Sequence, residues 1–548
     1  MNSLLKNISC VFSFLLLSFS ALAQEPAPQT PDYGELHGNF QIDAQYYNQD
    51  SAIGAPDVPE KIRMNAFGNV LYTRGRFTAG ARIETYLNAL QGFDQRYKGI
   101  GIPYRFITYD HKGLEITAGN FYEQFGSGMI LRAYEERGLG YDNVFDGIRI
   151  KYMPVKGLYL KGLVALQRTF FDRGPGIVRA IDGEVNINEL FKKLEEAKAR
   201  FIIGGSFVSK FQSDQDPVYK LPQNVAAGSA RLTFIYNKFN LSGEYAYKIN
   251  DPSSVNNFIY KPGSGLLVTA SWSTKGLGIV VGAKRIDNMD FRSDRTATGN
   301  NLNINYLPAL TRQHTYNLPA TIYPYATQPN GEMALQAELT YTIKKETKLG
   351  GKYGTILTIN YSAVNGLDTT QLHNGLGYES KFFSTKGEAY FRDFNVEVSR
   401  KLSKKVKLIL QYLNLVYNKD VVQGLKGYGT VYADIGIVDV TYKFNQKYAL
   451  RMELQSLTTK QDQGNWAMGM LEFTHTKYFI AVMNQYNYGN NDVKKRLHYP
   501  NISLGYLMDK VRITATYGRQ RAGIFCVGGV CRVVPASNGL TLSVSMSF

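Results

Sequence analysis

Apolar residues recur at every second position through much of the chain. The last strand-like stretch shows this most plainly, because Leu540, Leu542, Val544, Met546 and Phe548 alternate with Thr and Ser. A period of two puts apolar side chains on one face of a strand and polar ones on the other. An unpaired sheet edge invites aggregation, so such a strand needs a partner. A closed antiparallel barrel supplies one, since its last strand pairs with its first.

Two kinds of reversal separate the alternating stretches. Short ones are exemplified by Asn237-Lys238, which lies between two strand-like runs. Longer polar connections cover residues 88–101, 288–331, 365–386, 417–428 and 489–500. Short turns alternating with long loops are typical of outer-membrane barrels, where the short turns face the periplasm and the long loops are extracellular. We therefore predict an all-β, transmembrane antiparallel barrel of about 24 strands, with 22 as the nearest rival.

One stretch, NINELFKKLEEAKAR, breaks the strand pattern. Leu190, Phe191, Leu194 and Ala197 would share one face of a helix there, and Asn188 could cap it. The alternation stays in phase if residues 177–186 form a strand and this helix serves as a periplasmic turn.

The chain begins with a segment typical of exported proteins. Lys6 supplies a positive charge, residues 8–17 are largely apolar, and Ala21-Leu22-Ala23 is a small-x-small cleavage site. The apolar run is too short for a membrane anchor. We interpret residues 1–23 as a cleaved signal peptide, 24–35 as a flexible segment and 36–548 as a single barrel domain. Strand-like sequence from Leu36 leaves no room for a separate plug domain.

Composition fits this interpretation. The chain has 39 Tyr and 30 Phe but only 2 Trp. Tyr suits strands, and it also suits the water–lipid interface, where its ring is in the apolar layer and its hydroxyl stays wet. A large soluble β-protein rich in Tyr is the alternative.

The formal net charge of +17 indicates anionic partners. In an exported chain these are outer-membrane lipid and lipopolysaccharide, whereas the dispersed basic residues argue against nucleic acid. The terminal Phe548 resembles the signal that bacterial barrel-insertion machinery recognises. Other outer-membrane or periplasmic proteins remain an open alternative as partners.

The two cysteines beyond the signal segment, Cys526 and Cys531, flank Gly528-Gly529. In an exported chain this spacing predicts a disulfide across a loop tip. A metal site would need further His or Cys nearby, so no metal or cofactor is expected. The six His are scattered, and neither H-E-x-x-H nor G-x-S-x-G occurs. We expect no enzyme, although a hydrolase assembled from neighbouring strands is a remote alternative.

The alternation also assigns faces to charged strand residues. Charge on a lipid-facing surface is costly, so these side chains should point into the lumen, as a pore lining or as ion pairs that brace the wall. The set is Arg82, Glu84, Glu115, Arg149, Lys151, Glu244, Glu338, Glu397, Arg451, Glu453, Glu472 and Arg512.

Two connections are candidates for function. Residues 119–147 are rich in Gly, aromatics and charge, and predict either a constriction or plug inside the barrel or an ordinary surface loop. Its charged candidates are Arg132, Glu135, Glu136, Arg137, Asp142 and Asp146. Residues 288–330 form the longest loop, which would suit an external lid or partner surface, or else a disordered insertion.

The Gln after the cleavage site, the Tyr-rich hairpins, the FYEQFGSGMILRAYEERGLGYDN segment and the final Phe together resemble outer-membrane barrels of Bacteroidota. The resemblance implies an outer-membrane location and gives no substrate. Our leading hypothesis is a porin-like channel or gated pore for solutes. The alternative is a non-conducting barrel that serves as a subunit of a secretion or assembly complex.

Overall fold

The computed structural model of the protein describes residues 33–373, 375–527 and 530–548. The predicted signal peptide and most of the predicted flexible segment lie outside these residues. The described chain forms one sheet of 24 strands, in which every neighbouring pair is antiparallel and the first strand pairs with the last. The predicted fold class and the strand count of 24 are therefore confirmed.

The barrel strands are numbered in chain order. The first twelve are β1 Glu35–Asn48, β2 Ile62–Arg74, β3 Phe77–Leu87, β4 Gly99–His111, β5 Leu114–Phe121, β6 Phe145–Val155, β7 Leu158–Thr169, β8 Asp172–Asn186, β9 Ala199–Phe211, β10 Asn224–Tyr236, β11 Phe239–Lys248 and β12 Gly263–Thr274. The others are β13 Leu277–Asp287, β14 Gly331–Ile343, β15 Thr355–Asn365, β16 Ala389–Lys401, β17 Val406–Asn418, β18 Thr430–Lys443, β19 Tyr448–Thr459, β20 Trp466–His475, β21 Tyr478–Tyr486, β22 His498–Met508, β23 Val511–Gln520 and β24 Ser537–Ser547.

Smaller elements lie in the connections. The α-helices are α1 Ile187–Leu190, α2 Asn317–Ile322 and α3 Lys419–Gln423, and the 3₁₀ turns are Gln95–Tyr97, Arg137–Leu139, Lys192–Leu194, Ser254–Asn256 and Val493–Lys495. Three short hairpins pair Glu135–Glu136 with Tyr141–Asp142, Thr369–Gln371 with Tyr378–Ser380, and Gly523–Val527 with Val530–Val534. Within the described ranges, none of the helices has the length and apolar character needed to cross a bilayer.

The two ends of the barrel differ. At one end most strands are joined by tight turns, such as Lys112-Gly113, where both residues have positive φ (49° and 80°), as a type I′ hairpin requires. We call this the short-turn end. The opposite end carries the connections 49–61, 88–98, 122–144, 212–223, 249–262, 288–330, 366–388, 419–429, 460–465, 487–497 and 521–536, and is called the long-loop end.

The helical insertion lies at the short-turn end, as predicted, but the predicted helix is wrong in extent. Only α1 and a 3₁₀ turn form, and Phe191 and Leu194 are exposed. The cap is Asn186, whose side chain accepts from the Glu189 N–H. Asn188 instead ties the turn together, because its amide donates to the carbonyls of Leu194 and Ala199. These longer-range bonds compete with helical ones, so the helix ends early.

The outer wall is apolar, and the inner wall is only partly polar. Large side chains such as Ile83, Val164 and Ile181 are exposed on the outside. Inside, the wall of β17–β19 carries fully buried apolar residues, including Leu413, Val431, Ile435 and Leu457, so the expected polar inner face is wrong for this sector. Those residues are covered from within, as described below.

Closure depends on β1 and β24. Their register runs from Asn39 opposite Ser547 to Asn48 opposite Asn538. Beyond it, Phe548 N–H donates to the Gly38 carbonyl (2.9 Å) and Gly38 N–H donates to the Phe548 carbonyl (3.1 Å). The Phe548 ring lies directly against the Gly38 backbone, where a Cβ would collide with it.

We predict that deleting Phe548 lowers the amount of folded barrel in the membrane, because it removes two closing hydrogen bonds and the ring that covers Gly38. The measurement is the yield of the compact, heat-modifiable form on unboiled gels. Ser547→Ala, which keeps the backbone pairing, is the control and should match wild type. Equal yields for both variants would contradict the prediction.

Candidate functional site

Two long connections fold inward and pack against the inner wall. The first, residues 122–144 between β5 and β6, is called loop A. Its Phe125, Met129, Ile130 and Leu131 are fully buried at 0% exposure, in one apolar cluster with wall residues such as Val178. A loop facing water would not bury four large apolar side chains, so loop A is an ordered part of the interior.

Loop A reaches the wall at β11. The backbone N–H of Ser127 donates to Oε2 of Glu244 (2.7 Å), and Glu244 is itself buried. Gly126 has φ +52°, and a Cβ there would be 2.5 Å from that Oε2 atom. Glycine favours both this left-handed backbone conformation and the close approach of the loop backbone to the carboxylate.

A buried ion-pair cluster fixes the other arm of loop A. Asp142 accepts from Arg82 of β3 (2.6 Å) and from Arg168 of β7 (2.8 Å). Glu84 also pairs with Arg82 (2.7 Å) and Arg168 (2.6 Å), while Glu135 of loop A reaches Arg82 at 2.9 Å. We call these five residues the Asp142 cluster. The two guanidiniums are shared among the three carboxylates, and these contacts offset the cost of burying the charges.

The Asp142 cluster is not a convincing metal site. Carboxylate oxygens of Glu84, Glu135 and Asp142 lie within 4.8 Å of one another, a spacing that could surround a cation. Arg82 and Arg168 already bind those oxygens and supply the positive charge.

A second group of ion pairs at the β5–β6 wall joins Arg149 to Glu115 (2.6 Å) and to Glu123 of loop A (3.4 Å).

The second inward connection, residues 288–330, is called loop B. Its helix α2 buries Leu318 and Ile322 against the apolar inner wall of β17–β19. The N–H of Leu318 donates to Oε1 of Gln455 in β19 (2.9 Å). The expectation of an external lid is therefore wrong, because this loop carries apolar residues that match an apolar inner wall.

Polar contacts reinforce the seat of loop B. Its side chains Arg312, His314 and Tyr316 each reach an acidic residue of the wall. The pairs are Arg312–Glu397 (2.7 Å), His314–Asp393 (2.8 Å) and Tyr316–Asp439 (3.2 Å). Burial and the neighbouring Asp439 carboxylate raise the pKa of Tyr316, so it remains a neutral donor.

Loops A and B join each other in the middle of the lumen. Arg132 N–H donates to the Ile304 carbonyl (2.8 Å), and Tyr306 N–H donates to the Gly128 carbonyl (2.9 Å). The Arg132 guanidinium lies 4.1 Å from the Tyr306 ring centre. The contacts therefore run from Arg168 on β7, through both loops, to Gln455 on β19. These strands are twelve apart in a ring of 24, so the loops bridge opposite sides of the barrel.

The other predicted site residues are dispersed. Arg451 pairs with Asp439 (2.9 Å) and with Glu453, and Glu472 accepts from Thr474. Glu338 and Arg512 lie on strands outside these clusters. Within loop A, Glu136 accepts from the Gly138 N–H, and Arg137 pairs with Glu135 (2.9 Å). Asp146, on β6, pairs with Arg173 (2.6 Å).

Sequence reasoning missed Arg168 and the loop B anchors. Strict alternation from Leu160 and Leu166 would put Arg168 on the outward face, but it turns inward to Glu84 and Asp142. The chain reverses just after it, at Phe170, whose φ is +56°. A charged residue on an otherwise apolar face was the only sequence signal that this strand end departs from the pattern.

The hairpin Gly523–Val527 and Val530–Val534 is called the terminal hairpin. It contacts loop B from the long-loop end of the barrel. Cys526 and Cys531 form the predicted disulfide. Asn300 of loop B donates to the Cys531 carbonyl (2.6 Å), and Arg521 donates to the Thr321 hydroxyl. Burial lowers the pKa of Arg521 to about 10, which still leaves it cationic at neutral pH.

We predict that Asp142→Asn loosens loop A, because Arg82 and Arg168 lose their shared carboxylate. Removing one partner from buried ion pairs costs about 3 kcal/mol or more. Trypsin should then cleave folded protein after Arg132 or Arg137 at least tenfold faster. Asp172→Asn, at an exposed wall position, is the control with the same charge change. Cleavage at the wild-type rate would show that the cluster does not hold the loop.

We also predict that reductant leaves the gel mobility of the unboiled barrel nearly unchanged. The disulfide joins residues only five apart in sequence, so it closes a very small loop. Mobility with and without reductant is the measurement, and Cys526→Ser/Cys531→Ser is the control. A large shift would mean that the cysteines link different chains.

Solved outer-membrane structures are similar to the chain at low identity. The siderophore receptor PirA from Pseudomonas aeruginosa has 9% identity and a TM-score of 0.39, and the match covers 96% of this chain and 82% of that one. The P pilus usher (PapC) translocation pore has 10% identity and a TM-score of 0.41, and the match covers 94% of this chain and 99% of that one. The outer membrane protein OpdK from Pseudomonas aeruginosa has 11% identity and a TM-score of 0.35, and the match covers 82% of this chain and 99% of that one. At these scores the similarities add nothing to what the barrel topology itself shows.

No curated protein matches the chain. A family model does match, over residues 5–548 and thus over nearly the whole sequence. The chain therefore belongs to DUF6029, a family of unknown function.

Proposed function

We propose that the protein is an outer-membrane barrel that acts as a gated solute channel, closed at rest by its own loops A and B. The observation that carries this proposal is the bridge of loops between β7 and β19. It places packed protein where an open porin has water. Gating then means that one or both loops leave their seats on the wall.

The membrane part of the proposal is supported by two belts of exposed aromatic residues. The belt near the short-turn end comprises Tyr72, Phe77, Tyr152, Tyr236, Trp272, Tyr341, Tyr442, Phe444, Tyr478 and Tyr506. The belt nearer the long-loop end comprises Tyr46, Tyr245, Tyr247, Tyr361, Phe394, Tyr432 and Tyr517. Aromatic girdles at both interfaces are characteristic of transmembrane barrels.

The spacing of the belts fits a bilayer. Tyr432 and Tyr442 are ten residues apart on the outer face of β18. Ten residues of strand extend about 33 Å. A tilt of about 40° reduces this to about 25 Å along the barrel axis, which is the usual height of the lipid-facing band.

The contacts that hold loops A and B against the inner wall suit a gate better than a permanent plug. Loops A and B belong to the same chain as the wall, and loop B is tied to it by three polar side chains, Arg312, His314 and Tyr316. Such contacts exchange for water when the loop moves, so opening needs no unfolding of the wall. A closed lumen also suits the second candidate function, a non-conducting subunit of an outer-membrane secretion or assembly complex.

Planar-bilayer conductance separates these functions. We predict that wild-type protein passes little steady current and that replacing residues 307–327 of loop B by a short Gly-Ser linker gives a large ohmic current. The physical reason is that the replacement removes half of the bridge and uncovers the lumen. Arg312→Gln/His314→Gln, which keeps the loop intact, should raise the frequency of openings without changing their size.

The control replaces residues 490–496, which lie in a largely exposed loop, and it should remain silent. A full ohmic current from wild type would show that the loops do not close the lumen. Silence of the folded loop B variant would favour the non-conducting subunit. Recovery of the mature protein in the soluble fraction after lysis would contradict the membrane location itself.

A further inference from the structure

A cavity of about 320 Å³ lies above the Asp142 cluster, under the terminal hairpin. Five connections converge on it: 88–98, loop A, the β7–β8 reversal, loop B and 521–536. Its charged and aromatic lining includes Asp94, Arg96, Tyr97, Arg168 and Arg532. This volume is at the lower end of the range for small-molecule pockets, about 300–1,000 Å³.

One of the three arginines that line the cavity has no carboxylate partner. Arg96 is paired with Asp94 (2.6 Å), and Arg168 is paired with Asp142 (2.8 Å). The remaining cation is Arg532, whose guanidinium is stacked on the Phe93 ring, 4.0 Å from its centre. Among the lining residues, Arg532 is therefore the cation that no carboxylate of the described chain neutralises.

Arg532 also has free donors. Its Nε and Nη1 atoms are buried and make no hydrogen bond to any of the described residues. Burial lowers the pKa of Arg532 to about 10, so the group is still cationic at neutral pH. Guanidinium N–H groups that are buried without an acceptor are costly, and a carboxylate or phosphate oxygen would supply a charge-assisted acceptor.

The terminal hairpin that carries Arg532 is held in place on two sides. Asn300 of loop B donates to the carbonyl of Cys531, next to Arg532 (2.6 Å). On the other side, the backbone carbonyl of Val533 approaches Gly92 so closely that a Cβ there would be 2.7 Å from it. The disulfide Cys526–Cys531 restrains the hairpin itself. Arg532 is thus positioned before any ligand arrives, which lowers the entropic cost of binding.

We infer that this cavity binds a small anionic solute, about the size of a single sugar unit, through a carboxylate or phosphate held by Arg532. Tyr97 and Phe170 provide apolar walls, and Thr298 and Asn301 provide polar groups for the rest of the molecule. The site is next to Arg168, and so next to the cluster that anchors loop A. We take this cavity to be where solute enters the channel, and that part of the inference rests on the proposed channel function. Binding of the anion does not depend on it.

Isothermal titration calorimetry on the detergent-solubilised, full mature protein tests this inference. The probes are glucuronate and glucose 6-phosphate, with neutral glucose as the matched uncharged probe, all at constant ionic strength. We expect wild type to bind at least one of the two anions more tightly than glucose. Arg532→Gln should weaken that binding at least tenfold, and Arg532→Lys, which keeps the charge but has fewer N–H donors, should weaken it less.

Lys494→Gln removes one positive charge from an exposed position in another loop and should bind like wild type. Heat modifiability shows whether each variant is folded. Failure of wild type to bind either anion, or equal affinities for wild type and folded Arg532→Gln, overturns the inference. Because no current is measured, this failure is distinguishable from failure of the gated channel.

Discussion

A ring of 24 strands encloses a lumen that wall side chains cannot fill, because barrel diameter grows roughly in proportion to strand number. Either water or folded protein must occupy that space. Here loops A and B occupy it, and most other features follow from this choice. The inner wall of β17–β19 is apolar where α2 covers it, and acidic where Arg312, His314 and Tyr316 reach it. The wall and the loops are complementary in both shape and charge.

The loops remain inside because leaving is costly in two different ways. Withdrawing loop A would expose Phe125, Met129, Ile130 and Leu131, each worth about 1.5–3 kcal/mol when fully buried. It would also separate Asp142 from two arginines in a site with little water. Loop B is held in both ways as well, because it buries Leu318 and Ile322 against the wall and pairs Arg312 and His314 with wall carboxylates.

Sequence periodicity was enough to predict the wall. Alternation and turn spacing depend on neighbouring residues, so the strand count and the place of the helical turn followed from local patterns. The extent of that turn did not, because Asn188 bonds to Ala199, eleven residues away. The inward fold of loop B also escaped prediction, since its apolar residues match a wall sector 90 or more residues further along the chain. Arg168 was missed for a related reason, as it departs from strict alternation at the end of β7.

The central claim is that loops A and B form one bridge across the lumen, and hydrogen exchange at their junction tests it most directly. The amides of Arg132, Ile304 and Tyr306 all donate to backbone carbonyls within the two loops. We predict that in folded wild-type protein these amides exchange as slowly as those of the wall strands. Exchange within seconds, at the rate of the exposed residues 491–496, would contradict the bridge and with it the closed lumen.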